Sequence, residues 1–132
     1  LADGREHHAA WENAADLVVA DVPCSGLGII RKKPDIRYKD PRELAELPAV
    51  QSAILNNAAT YVCPGGVLVY STCTVLPEEN EGVTAAFLDT HPDFTMEPFS
   101  LPHPIGGCCG QLTLWPQRWG TDGFYICRMR RK

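Results

Sequence analysis

The sequence predicts an α/β fold, a mostly parallel sheet closed by an antiparallel final strand. Two short apolar runs, Leu17-Val18-Val19-Ala20 and Val67-Leu68-Val69-Tyr70, each stop abruptly at polar residues. Runs of this length read as strands covered on both faces, as in a parallel sheet. Between them Leu44, Leu47, Ile54, Leu55, Ala58 and Tyr61 follow helical spacing. Strand, helix and strand then form a βαβ unit, right-handed by strong preference. Near the end, Phe124-Tyr125-Ile126-Cys127-Arg128-Met129 alternates like a last strand after a turn at Gly120-Thr121-Asp122-Gly123.

Size and composition set the frame. The 132 residues suit one domain, and 45% hydrophobic with 21% charged content is ordinary for a globular protein. No run approaches the roughly 20 apolar residues of a membrane span. No secretory signal is visible. The six cysteines, Cys24, Cys63, Cys73, Cys108, Cys109 and Cys127, form no C-x-x-C pair. They read as reduced thiols of a cytoplasmic protein, with no structural zinc. The net charge is −4, yet six of the twelve Lys and Arg fall between Arg31 and Arg42 and four between Arg128 and Lys132. A local basic loop can hold phosphate without a high overall pI, and it can equally be a solvated surface loop.

The elements follow in order. Leu1 to Arg5 reads as the middle of a longer chain, following a strand that lies before it. Asp3-Gly4 is either a plain turn or a strand-end acceptor for a nucleoside. Residues 6–15 have moderate helix character, with His7 and His8 exposed. A strand spans 16–21. Ser25-Gly26-Leu27-Gly28 after it is flexible and allows a ligand to approach the backbone. It lacks the G-x-G-x-x-G pattern of a phosphate cradle. Asp40, Pro41 and Glu43 form a helix start, and Pro48 is expected to split the helix into a short piece and a longer one over 49–62. Cys63-Pro64-Gly65-Gly66 reads as a stop and turn, with Cys63 a packing residue. A strand at 67–71 leads to Cys73. A helix from Pro77 to Thr90, acidic at its start, lies just beyond and offers its dipole to that thiol. Residues 92–110 read as loop with a short strand at 94–96, and Gln111 to Trp115 as another short strand.

The chemistry concentrates at two strand ends. Asp21-Val22-Pro23-Cys24-Ser25-Gly26 follows the first strand, and Ser71-Thr72-Cys73-Thr74 follows the second. Ligands bind outside the carboxyl ends of strands in open α/β sheets. Neighbouring parallel strands therefore bring Cys24, Cys73 and Asp21 into one site. Beyond it, Arg31-Lys32-Lys33-Pro34-Asp35-Ile36-Arg37-Tyr38 mixes cations with an aromatic, a composition suited to single-stranded nucleic acid.

These motifs resemble the Sun (Fmu) family of RNA cytosine-5 methyltransferases, which includes bacterial 16S ribosomal RNA enzymes. The two cysteine motifs carry the resemblance. Arg31 to Tyr38, Leu76-Pro77-Glu78-Glu79-Asn80 and Gly120 to Tyr125 resemble the family's flanking segments. The resemblance implies a Rossmann-like class I fold using S-adenosylmethionine, with RNA, most simply 16S rRNA, as partner. It implies Cys73 as the nucleophile on carbon 6 of cytosine, Cys24 as the residue assisting release, and Asp21 as hydrogen-bond partner of the pyrimidine edge. Asp3, Asp21 and Pro23 would bind cofactor, and Arg31, Lys32, Lys33 and Arg37 would bind RNA. The family's glycine-rich cofactor loop has no counterpart in the chain. The resemblance therefore implies the C-terminal half of a catalytic domain, missing its N-terminal half and inactive alone, with an exposed strand edge that invites self-association.

The residue types suit the reaction. Carbon 5 of cytosine is a poor nucleophile until a covalent bond breaks the ring conjugation, and a thiolate makes that bond reversibly. The base must leave its stack, so unpaired RNA is the easier substrate. Two alternatives stay open at this level: a non-catalytic RNA-binding module, and a thiol redox or hydrolytic enzyme, for which no His partner is evident.

Overall fold

A computed structural model describes residues 3–132. The expected strand before Leu1-Ala2 lies outside the described residues. Strand β1 spans Ala15–Asp21, helix α1 Pro41–Tyr61, strand β2 Val62–Thr72 and helix α2 Glu81–Thr90. The short strands β3 (Phe94–Met96), β4 (Phe99–Leu101), β5 (Gly106–Cys108) and β6 (Gln111–Leu114) follow, then the single turn α3 (Pro116–Trp119) and strand β7 (Phe124–Arg131).

β1 and β2 pair in parallel, from Leu17 opposite Val67 to Asp21 opposite Ser71. β7 runs antiparallel to β2, as its alternation predicts. The far edge of β7 is shared, with β6 along Phe124–Cys127 and β3 along Met129–Arg131. Arg128 sits at the junction, where its carbonyl accepts from Glu97 N and its amide donates to Gly110 O. β4 and β5 form a separate hairpin inside the segment expected to be loop.

Alternation sorts the side chains between two faces. Ala20, Leu68, Tyr70, Tyr125, Cys127 and Met129 point to one face, where Leu55, Ala58 and Ala59 of α1 and Val83 and Phe87 of α2 cover them. Among the described residues no helix covers the opposite face. Leu17 and Val19 are 58% and 60% exposed. A shallow cleft of about 410 Å³ runs over Leu17, Val67, Val69 and Ile126, rimmed by Phe99 and Leu101. The expectation of strands buried on both faces is thus corrected: among the described residues, β1 is buried on one.

Five further expectations change. Residues 6–15 hold a single 3-10 turn at Ala9–Trp11. Backbone groups at their start are engaged elsewhere: Asn57 Nδ2 donates to the carbonyl of Glu6, and His8 N donates to Tyr61 Oη. α1 is one helix through Pro48, with Asp40 capping it by accepting from Arg42 N at 2.9 Å. The proline forfeits one backbone bond, and buried residues on its C-terminal side hold the helix in line. Cys63-Pro64-Gly65-Gly66 is a bulge within β2 rather than a stop, since six residues from Val62 to Val67 lie against three from Ala15 to Leu17. Gly65 takes φ +81°, which a residue with a Cβ rarely adopts. Cys63 is half-buried, and its thiol donates to Asp16 Oδ1 at 3.5 Å instead of packing in the core. Finally α2 starts at Glu81, and Leu76 to Asn80 is a turn. Its N-terminus is therefore not immediately beyond Cys73, as the dipole reading requires.

Candidate active site: two thiols at adjacent strand ends

The parallel register carries the site. Asp21 lies opposite Ser71, and Val22 N continues the ladder to Ser71 O at 3.1 Å. Both chains then leave the sheet on the same side. Cys24 Sγ and Cys73 Sγ come within 3.1 Å, and Cys73 N–H donates to Cys24 Sγ at 3.3 Å. Both thiols are half-buried. Burial, then the hydrogen bond with Cys73, pushes the Cys24 thiol up to about 12. Cys24 therefore holds its proton across the neutral range. Asp21 is exposed, and one carboxylate oxygen accepts from Ser71 Oγ at 2.8 Å.

A buried polar network ties the two loops together. Ser25 Oγ donates to Thr74 Oγ1 at 2.8 Å, joining the residues that follow each cysteine. Asn80 accepts from Thr72 Oγ1 at 2.6 Å and donates to Thr74 O at 3.1 Å, bracketing Cys73. Glu79 Oε2 accepts from Ser25 N at 2.9 Å and from Gln51 Nε2 at 2.8 Å, and Gln51 Nε2 also donates to Pro23 O at 3.0 Å. From the other side Gly28 N donates to Cys73 O at 2.9 Å, and Gly123 N donates to Gly28 O at 2.7 Å. A methyl group on Gly28 would lie 2.1 Å from the Gly123 carbonyl oxygen. Gly28, in the 3-10 turn Leu27–Ile29, thus serves close approach to the protein's own backbone rather than to a ligand, and Gly26 supplies the φ of +77° ahead of that turn.

The basic segment folds around Asp122. Lys32 pairs with this carboxylate and Arg31 lies 3.6 Å from it, and the contacts with Lys32 first hold its pKa below the usual carboxylate range. Lys39 Nζ donates to Ser25 O at 2.8 Å, which anchors the far end of the segment beside Cys24. Lys33 and Arg37 are exposed, as is Tyr38 at 82%. Arg37 donates to Pro34 O at 3.4 Å within its own turn. The segment is therefore a partly neutralised loop next to the thiols, still presenting cations and one aromatic ring.

A second cleft, also about 410 Å³, opens beside β1 and is lined by Asp3, Gly4, Trp11, Val19, Ala20 and Ile54 among others. Arg5 bonds Asp3 at 2.6 Å and lowers its pKa to about 2, so the rim carries an ionised acceptor over an apolar floor. Pro23 is exposed between Asp21 and Cys24. Among the described residues no group of three His, Cys, Asp or Glu is placed to hold a metal ion.

The sequence motifs single out Cys24, Cys73 and Asp21 but not Gln51 or Glu79 as parts of the site. A signal for Gln51 exists: it occupies the buried stripe of α1 four residues before Leu55, where an apolar residue is expected. Glu79 resembles an ordinary acidic residue of a helix start.

The match to a family model described as 16S rRNA methyltransferase RsmB/F covers residues 1–130. The probable ribosomal RNA small subunit methyltransferase B of Bacillus subtilis is 43% identical over 98% of the chain, and the chain covers 31% of that protein. The ribosomal RNA small subunit methyltransferase F of an Escherichia coli strain is 38% identical, with 98% of the chain and 28% of that protein covered. The chain thus spans about three tenths of the length of the curated relatives it matches. Among solved structures, PH0851 aligns with a TM-score of 0.84 at 34% identity, over 96% of the chain and 29% of its own length. NSun6 from Pyrococcus horikoshii, solved with SFG, a S-adenosylmethionine analogue, aligns with a TM-score of 0.70 at 28% identity, over 86% of the chain and 29% of its own. The fold is accordingly a partial Rossmann-like methyltransferase fold.

Proposed function

The chain belongs to the RsmB/F family of 16S rRNA methyltransferases, and from that premise we propose that it carries the reaction centre of an RNA cytosine-5 methyltransferase acting on 16S rRNA. The observation that supports the cytosine-5 reading is the thiol pair, two sulfurs 3.1 Å apart at adjacent strand ends. One thiol suffices for a simple nucleophile. A reaction that both makes and breaks a carbon–sulfur bond has use for two.

S-adenosylmethionine supplies the methyl group when bound. The cleft beside β1 fits its nucleoside part, with an apolar floor for a base and the ionised Asp3 as acceptor. Asp3, Asp21 and Pro23 would hold it. The chain's own groups then act on the base. The Cys73 sulfur forms a bond to carbon 6, and the electrons of the 5,6 double bond pass into the ring, whose nitrogen 3 takes up a proton. Asp21 hydrogen-bonds the pyrimidine edge and stabilises the charge at that nitrogen. Carbon 5 is now nucleophilic and forms its bond to the methyl group as the methyl–sulfur bond of the cofactor breaks, with the thioether S-adenosylhomocysteine as leaving group. The carbon–sulfur bond to Cys73 then breaks as the departing Cys73 sulfur takes the Cys24 proton. The carbon-5 proton passes to Cys24 in its place, the carbon-5–hydrogen electron pair restores the 5,6 double bond, and nitrogen 3 gives up the proton it took. Cys24 serves this second half. Before it, the protonated Cys24 thiol is a hydrogen-bond donor to the neighbouring sulfur, which leaves Cys73 as the nucleophile. Lys33, Arg37 and Tyr38, with Arg31 and Lys32 beside them, would hold the RNA backbone and one base.

The test uses the full-length protein with S-adenosylmethionine and unmodified 16S rRNA, followed by nucleoside mass analysis. The proposal expects 5-methylcytidine from the wild type and none from Cys73→Ala. Methylation at another position, or an active Cys73→Ala, would overturn it.

A further inference from the structure

We propose that Gln51 and Glu79 are positioning residues for Cys24, setting its sulfur for the release half of the reaction; this rests on the function proposed above. Cys24 is flanked by the carbonyl of Pro23 and the amide of Ser25, and both groups are held. Gln51 Nε2 donates to Pro23 O at 3.0 Å, and Ser25 N donates to Glu79 Oε2 at 2.9 Å. The two holders are joined, since Gln51 Nε2 also donates to Glu79 Oε2 at 2.8 Å. The clamp therefore closes on both peptide units of one residue. It draws on three separate parts of the chain: the loop after β1, the middle of α1 and the turn before α2.

Burial argues that the clamp serves more than stability. Gln51 is 0% and Glu79 1% exposed, and their Oε1 atoms have no hydrogen-bond partner among the described residues. A buried polar atom without a partner is costly, and a carboxylate more so. Apolar side chains of the same volume would fill the space between α1 and the sheet without that cost. Departures of this kind from packing rules concentrate at functional sites. The Glu79 backbone is fixed as well, its carbonyl accepting from Tyr70 Oη at 2.6 Å, so the carboxylate is aimed rather than free to swing. Cys73 is bracketed instead by Asn80 and Gly28. Loosening the Gln51–Glu79 clamp thus moves Cys24 first and leaves the nucleophile seated.

The consequence is directional. A misplaced Cys24 slows loss of the carbon-5 proton and departure of Cys73, while bond formation by Cys73 persists, so covalent protein–RNA complex accumulates on ordinary cytosine. Full-length Gln51→Met and Glu79→Met, both close in volume to the residues replaced, are incubated with S-adenosylmethionine and unmodified 16S rRNA beside wild type and Cys24→Ala. Denaturation-resistant complex is then measured. The proposal expects about tenfold more complex than wild type in either variant, the effect of one lost hydrogen bond to a positioned group, with turnover lowered in step. Glu79→Gln keeps an acceptor for Ser25 and returns the complex toward the wild-type level. A residue that merely supports the fold would lose complex along with stability. If Glu79→Met does not fold, Gln51→Met decides alone. Accumulation in Cys24→Ala with wild-type levels in folded Gln51→Met overturns the positioning role. Absence of accumulation in Cys24→Ala overturns instead the functional reading beneath it.

Discussion

At Cys24 the local chemistry is set by what surrounds the sulfur. The thiol loses water on entering the loop, and its nearest polar neighbour is another thiol rather than a cation. Both features disfavour the thiolate. Alkylation by iodoacetamide, followed by peptide mass mapping, is accordingly expected to be slow at Cys24 near pH 7 and to keep rising beyond pH 10. Cys109, which is exposed, provides the internal comparison. Cys24 labelling that levels off below pH 9 would contradict this account. The two cysteines were legible in the sequence because each sits in a contiguous polar stretch right after a strand. Gln51 and Glu79 were not, because they lie 28 residues apart and acquire a role only when the fold brings both against the loop of Cys24. Asp122 was missed for the same reason, since its partners Arg31 and Lys32 lie far from it in sequence and read as free cations.

Helices and strands were read with mixed success, and each departure has a tertiary cause. β1, β2, β7 and the short β3 and β6 follow from periodicity, and the parallel pairing follows from a helix-length connection. The β4–β5 hairpin escaped because Pro102, Pro104, Gly106 and Gly107 make its stretch of sequence read as loop. Pro48 was expected to divide α1, and the helix instead continues because Gln51, Leu55, Ala58 and Ala59 beyond it are buried against the sheet. If packing rather than local preference holds this helix, Pro48→Ala removes a local penalty without changing the fold. It is expected to stabilise the protein by up to about 3 kcal/mol, the usual cost of a helix-interior proline. Urea unfolding measures it. A lower midpoint would mean that the proline ring makes packing contacts worth more than the missing bond.

Over the whole molecule, burial of titratable groups shapes the response to pH. Cys24 and Cys127 are raised from 9.0 to about 12 and about 11, in both cases first by burial. Tyr70 and Tyr125 are also raised by burial. A raised acid group favours the folded state while it stays protonated. That stability is fully present below the unfolded pKa near 9.0 and is lost as pH climbs toward 11–12. Thermal unfolding under reducing conditions is expected to show a midpoint that falls steadily above pH 9, and Cys127→Ala to reduce that slope. An unchanged slope would assign the alkaline loss to other groups. The bare sheet face is the other global feature. Leu17 and Val19, with Val67, Val69 and Ile126, form an apolar surface on the side without helices. Sedimentation of the 132-residue chain is expected to show concentration-dependent self-association that Val19→Lys weakens. A monomer at high concentration would contradict this.

The central claim, that Cys73 makes and Cys24 helps to break one covalent bond to cytosine, is tested most directly by trapping. The full-length protein is incubated with S-adenosylmethionine and 16S rRNA substituted with 5-fluorocytosine. The fluorine removes the carbon-5 proton whose loss allows release. Denaturing gels should show a covalent complex with wild type, none with Cys73→Ala, and an equal or larger amount with Cys24→Ala. RNA binding without any covalent complex, or a complex that survives Cys73→Ala, would contradict the claim.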